Sequence, residues 1–204
     1  MRYDIKTEDD VLDALDDLVE EIEELVNLTG DLNQIGFDLF ILPITEGWLK
    51  EDYDDAFKRA QDKFDEVNTK IRKVAKEIIA IRTALIMALK GNSLLKKKLD
   101  PNNPDFDEEI DYEVEDYTDT VNKQANIANA EISGYKGTFI TIADAGREVD
   151  NAIDEYNSVI DAMNEGLSPP PYKKAKLVHL EDTAKAVVQD NINAEMARKR
   201  KRDS

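Results

Sequence analysis

Residues 53–88 read YDDAFKRAQDKFDEVNTKIRKVAKEIIAIRTALIMA. Their apolar positions are Tyr53, Phe57, Ala60, Phe64, Val67, Ile71, Val74, Ile78, Ile81, Leu85 and Ala88. The steps alternate four and three, the heptad signature of one helix face packing on another. A helix of that length extends roughly 50 Å at 1.5 Å per residue and cannot bury its stripe alone. The pattern therefore predicts an all-α protein, an elongated, coiled-coil-like bundle of about four long helices in antiparallel hairpins. Phe64, Ile71, Ile78 and Leu85 are expected in its core, and the apolar run Ile78–Leu89 is expected to be enclosed by several helices.

Upstream, Thr7 is placed to cap a helix that opens with Glu8, Asp9 and Asp10. Val11, Leu15, Leu18, Ile22, Leu25 and Leu32 continue the spacing, with Thr29 filling one turn. Pro43 lacks an N–H and is expected to end or kink this helix, after which 45–47 turn the chain into Trp48. So short a connection predicts an antiparallel hairpin. Trp48 is a candidate aromatic anchor for a partner.

Downstream, Gly91 and Asn92 signal a helix end and residues 91–104 a loop, with Pro104 opening the next helix. Ile110, Val114, Tyr117, Val121, Ala125, Ala128, Ile132, Tyr135, Phe139, Ile142, Gly146, Val149, Ile153, Tyr156, Ile160 and Met163 keep the alternation. Gly134, Gly137, Thr138, Ile140 and Thr141 weaken its middle, where a break or kink is expected. We read residues 1–166 as a long-helix bundle and 167–173, with Pro169, Pro170 and Pro171, as a stiff linker. Residues 174–204 read as a C-terminal helix ending in Arg198, Lys199, Arg200, Lys201 and Arg202, a tail expected to fray unless a partner holds it.

The net charge of −18 is unevenly spread. Residues 101–172 carry 17 acidic and 3 basic side chains, whereas 173–204 carry 5 and 9. The body repels nucleic acid and anionic membranes, and the tail attracts nucleic acid or an acidic protein surface. With no Cys, disulfides, thiolate metal sites and cysteine nucleophiles are excluded. The lone His179 has no Glu three residues earlier, so a bundled carboxylate–histidine metal site is not expected. Gly134-Tyr-Lys-Gly-Thr138 has the wrong order for a phosphate loop. No set of residues suggests an enzyme, and no catalytic, cofactor-binding or metal residue is assigned. The acidic, polar start differs from a secretory signal peptide, and no apolar run reaches the ~20 residues of a membrane span. The expected setting is the cytoplasm or a virus particle.

These features predict a non-enzymatic structural or adaptor protein. It would act through helix–helix contacts with protein partners or with copies of itself, as in a large assembly such as a virus particle. The Gly47-Trp48 hairpin, with Ala56 and Phe57 on the helix after it, resembles the tryptophan-x-glycine family of type VII secretion substrates. Tyr112 and Asp116 match the Tyr-x-x-x-Asp spacing of that family's export signal. The resemblance spans residues 7–116, departs where Gly47 precedes Trp48 and Lys50 replaces a glycine, and implies a secreted helical effector. The long heptads are also similar to those of helical pore-forming toxins, without their apolar membrane-entering segment. A third alternative is an acidic nucleic-acid mimic using residues 101–172.

Overall fold

The computed structural model describes residues 3–45 and 49–204, and among these it contains six helices and no strand. They are α1 (Glu8–Thr45), α2 (Lys50–Gly91), α3 (Ser93–Lys98), α4 (Glu108–Ser133), α5 (Thr141–Asn164) and α6 (Leu180–Asp203). The all-α expectation holds, but the count exceeds about four for two local reasons. Residues 93–98, expected as loop, form α3, because the Asn92 side chain accepts the Leu95 N–H at 3.1 Å and Leu95 is buried. The long third element divides into α4 and α5 around residues 134–140, where Gly134 and Gly137 stand.

Three boundaries differ from the sequence reading. Helix α1 runs through Pro43 to Thr45, since a proline this near the C-terminus disturbs only the last turn. Helix α4 starts after Asp107, whose carboxylate accepts the Glu109 N–H at 3.0 Å, so Pro104 lies in the loop before it. Helix α6 begins at Leu180, six residues beyond Lys174, because the intervening chain is held extended. The start of α1 follows its sequence signal. Asp10 N–H donates to Thr7 Oγ1 at 3.2 Å, and Asp10 Oδ2 accepts from Lys6 and Thr7 at 2.9 Å each. Those backbone donors hold the Asp10 carboxyl below the usual range. The connection through Glu46, Gly47 and Trp48 lies outside the described residues, and so does the proposed anchor Trp48.

The chain forms two compact units. The first comprises residues 1–24, 74–125 and 151–177. Its core takes Val11, Leu15, Leu18 and Ile22 of α1, Ile78, Ile81 and Leu85 of α2, and Val114 and Val121 of α4. Ile153, Tyr156 and Ile160 of α5 complete it, all buried. Arg82, the one charge in Ile78–Leu89, forms an ion pair with Glu155 (Nε–Oε2 2.6 Å) whose angle closes no hydrogen bond. Lys96 reaches from α3 to the last turn of α5, donating to the carbonyls of Ala162 and Met163. That places a cation on the negative end of the helix dipole.

Residues 172–176 cross this unit as an extended strap. Asn157 and Asn164, seven residues apart on α5, present their side-chain amides to it as a β-strand would present its backbone. Asn157 donates to Ala175 O at 2.9 Å and accepts from Ala175 N at 2.7 Å. Asn164 does the same with Tyr172, at 2.8 and 2.9 Å. The buried Tyr172 hydroxyl donates to Leu99 O at 2.6 Å. Buried backbone polar groups are thus satisfied without helix or sheet.

The second unit comprises residues 25–73, 126–150 and 178–204. Here the end of α1 and the start of α2 lie side by side, Ile35 and Leu39 sharing a cleft with Ala56 and Ala60. Leu25, Leu28 and Leu32 pack with Phe64, Ile71, Ala128, Ile132, Ile142 and Val149 in its core. Thr29 is buried among them, its hydroxyl donating to Leu25 O at 3.0 Å.

Candidate functional site

Three surfaces present exposed apolar or charged side chains. The first lies on α2 in the first unit. Ile79 is 50% exposed and Met87 53% exposed, and Ala80 and Thr83 between them are exposed too. The expectation that several helices enclose Ile78–Leu89 therefore holds for one side of the run only. Ile78, Ile81 and Leu85 face inward, and no other helix of the described chain covers the opposite side. Thr83 gives its hydroxyl to Ile79 O at 2.7 Å. One turn beyond each end of this strip stand the exposed Lys76 and Lys90. The strip between the two ammonium groups is about 21 Å long at 1.5 Å per residue.

The second surface is on α4 of the same unit. Tyr112 is 80% exposed. Glu108, Glu109, Glu115 and Asp116, within one turn of it on the same helix face, are exposed as well. The export-like pair Tyr112 and Asp116 thus sits one turn apart on an open acidic face. Nearby, Tyr117 is half-buried, and burial followed by Asp16, Glu113, Asp13 and Asp116 pushes its phenol up to about 12.

The third surface is in the second unit, where the basic tail meets the break between α4 and α5. Arg198, Lys199, Arg200, Lys201 and Arg202 are exposed, and helix α6 runs through them to Asp203. Arg198, Lys201 and Arg202 line one side of a pocket of about 600 Å³, together with Glu195. Lys199 pairs with Glu195 at 3.7 Å, and neither Lys199 nor Arg200 lines the pocket. Leu39, Tyr53 and Phe139 line it as well.

Its floor is backbone. Gly36 and Gly137 both line the pocket, and the Tyr135 ring lies against both of them. A Cβ on Gly137 would stand 2.5 Å from the Tyr135 hydroxyl, and one on Gly36 would stand 2.8 Å from it. Neither position has room for a side chain. Tyr135 is 1% exposed, and burial pushes its phenol well above the usual range. The Phe139 amide faces the hydroxyl without closing a hydrogen bond, and the oxygen has no partner. Asn191 of α6 holds the loop in place by donating to Tyr135 O and Gly137 O, both at 2.9 Å.

Phe139 is fixed in turn. Its ring stacks on Phe57 (centroids 5.2 Å, 26°) and lies 4.5 Å from Phe64. Tyr53 lies 6.1 Å from Phe57, and its phenol is raised by burial and by the Glu195 and Asp54 carboxylates. The sequence reading identified the cations but missed the pocket, because its walls come from positions about 40, 50, 140 and 200. The available signal was the glycine pair Gly134 and Gly137, which marks the break that brings Phe139 to the tail.

No family model, no curated protein and no solved structure matches this chain.

Proposed function

We propose that the protein is a non-enzymatic assembly subunit, acting through helix–helix contacts with further copies of itself. The observation that carries this reading is the uncovered strip Ile79–Ala80–Thr83–Met87 on α2, bounded by Lys76 and Lys90. A helix docking there needs an apolar side chain at its centre and carboxylates around it. The acidic face of α4 offers that pattern, with Tyr112 among Glu108, Glu109, Glu115 and Asp116. Ala80 and Thr83 leave a shallow gap for the Tyr112 ring, with Met87 beside it for a sulfur–aromatic contact. Pairing α2 of one copy with α2 of another would instead set Lys76 against Lys76 or Lys90. Unlike surfaces joined head to tail generate rings or filaments, the geometry of large assemblies.

Light-scattering mass of the full chain across concentration and salt is the test. The expected result is a mass above the 23.1 kDa of one chain, falling as salt screens the charges. Lys76→Glu with Lys90→Glu should give monomers, as should Glu109→Lys with Asp116→Lys, and mixing the two variants should restore association. A parent chain that stays at 23.1 kDa under all conditions overturns the proposal.

A second reading has one specific support, the openness of Tyr112 and Asp116 to a recognising partner. As a secreted effector, the chain would be exported by a type VII system, and Tyr112→Ala or Asp116→Ala would abolish export.

A further inference from the structure

We propose that the pocket between the basic tail and the Gly137–Phe139 loop binds a small organic anion with a flat aromatic body, an aryl or nucleoside phosphate of mononucleotide size. Four observations lead there. Its volume of about 600 Å³ lies in the range of small-molecule sites. One wall is aromatic and rigid before any ligand arrives, since Phe139 is already held by Phe57 and Phe64. The same lining carries Arg198, Lys201 and Arg202, of which Lys201 and Arg202 form no ion pair among the described residues. Gly36 and Gly137 line the pocket as well, and the buried Tyr135 ring packed against both holds them at glycine.

The arrangement separates two jobs. The planar part of a ligand lies against Phe139 and Tyr53, and its phosphate reaches the guanidinium and ammonium groups at the rim. Glu195, at the edge of the cationic wall and beside Tyr53, is placed to accept a ligand N–H or O–H. It also repels a second phosphate, which favours a single charged group over a polyanion. The chain's net charge of −18 opposes a long nucleic-acid strand for the same reason. This inference is independent of the assembly surfaces, which belong to the other unit.

Calorimetric titration of the full chain at low salt tests it with adenosine 5′-monophosphate, adenosine, inorganic phosphate and a single-stranded oligonucleotide. Adenosine 5′-monophosphate is expected to bind one to one, with adenosine and phosphate each weaker by about tenfold or more. Lys201→Gln with Arg202→Gln should weaken the nucleotide by about tenfold and leave adenosine unchanged. Phe139→Leu should weaken both, and a melting curve on that variant separates lost binding from lost folding. Three results would overturn the proposal. These are no binding of the nucleotide, phosphate binding as tightly as the nucleotide, or an oligonucleotide binding more tightly as its length grows. The last would make the tail a nucleic-acid contact.

Discussion

Asp150 on α5 caps α6 by accepting the N–H of its first residue, Leu180, at 2.8 Å on one carboxylate oxygen, while the other takes Glu181 N–H at 3.1 Å. The residue that precedes α6, His179, makes no side-chain cap and sits in the left-handed region at φ 51°. A neighbouring helix therefore supplies what the local sequence does not. Gly146, one turn earlier on α5, allows the approach, because a Cβ there would stand 2.9 Å from Leu180 O. Asp150→Ala should cost about 1–2 kcal/mol, the range for a lost cap. Gly146→Ala should cost more than the helix propensity it gains, since the atom it meets is backbone. Thermal melting checks both, and an Asp150→Ala variant that melts with the parent would show that α6 is held by its apolar face alone.

The strap predicts a second loss. Asn157→Ala would leave the buried N–H and C=O of Ala175 without partners, at about 1–3 kcal/mol for each group. Hydrogen exchange at the Ala175 amide should then speed up well beyond any change at the Val11 or Leu15 amides. Asn157→Leu, which fills the space but cannot bond, should behave like Ala rather than like the parent.

Glu131 predicts a pH dependence. Its carboxylate lies against Gly30, half-buried, with Oε2 unpartnered. Burial, then the Asp31 charge, raises its proton affinity above that of the unfolded chain. The folded state thus holds this proton more tightly than the unfolded state does. The resulting destabilisation is full above the raised value, fades as pH falls from there to the ordinary carboxylate range, and is gone below it. Glu131→Gln should raise the melting temperature at pH 7, and the gain should shrink toward pH 4. Glu20→Gln, at an exposed position, controls for the change in net charge and should give less gain at pH 7.

The adjacent pair Ile78 and Ile79 tests the register of α2. Ile78 is 1% exposed and Ile79 is half exposed. Ile78→Asp buries an unpaired charge and should unfold the first unit. Ile79→Asp should keep melting within about 0.5 kcal/mol of the parent, the usual range for surface positions, while abolishing association. Equal melting of the two variants would refute the register.

Helix identity and inward faces were legible because they depend on spacing alone. Phe64, Ile71, Ile78 and Leu85 are all buried, and so are Val114, Val121, Ile132, Val149 and Tyr156 further along. The break at 134–140 was legible too, from glycines and β-branched residues in a run that otherwise favoured helix. Boundaries were harder. At Pro104 and Lys174 the local signal allowed a helix to begin, but Asp107 and the side chains of Asn157 and Asn164 fixed the chain otherwise. The enclosure of Ile78–Leu89 was misjudged because an apolar residue on an outward face reads the same as one in a core.

By itself, then, the sequence determined that this chain is helical, which faces of its helices are apolar, where its charge lies and where the long third element breaks. Periodicity and local charge encode those properties within a few turns. Only the tertiary structure decided which apolar faces find a partner, which side chains replace missing caps, and that Tyr53, Phe139 and the Arg198–Arg202 tail share one pocket. Those outcomes depend on contacts between residues up to about 150 positions apart, and no local pattern specifies which distant backbone a side chain will meet.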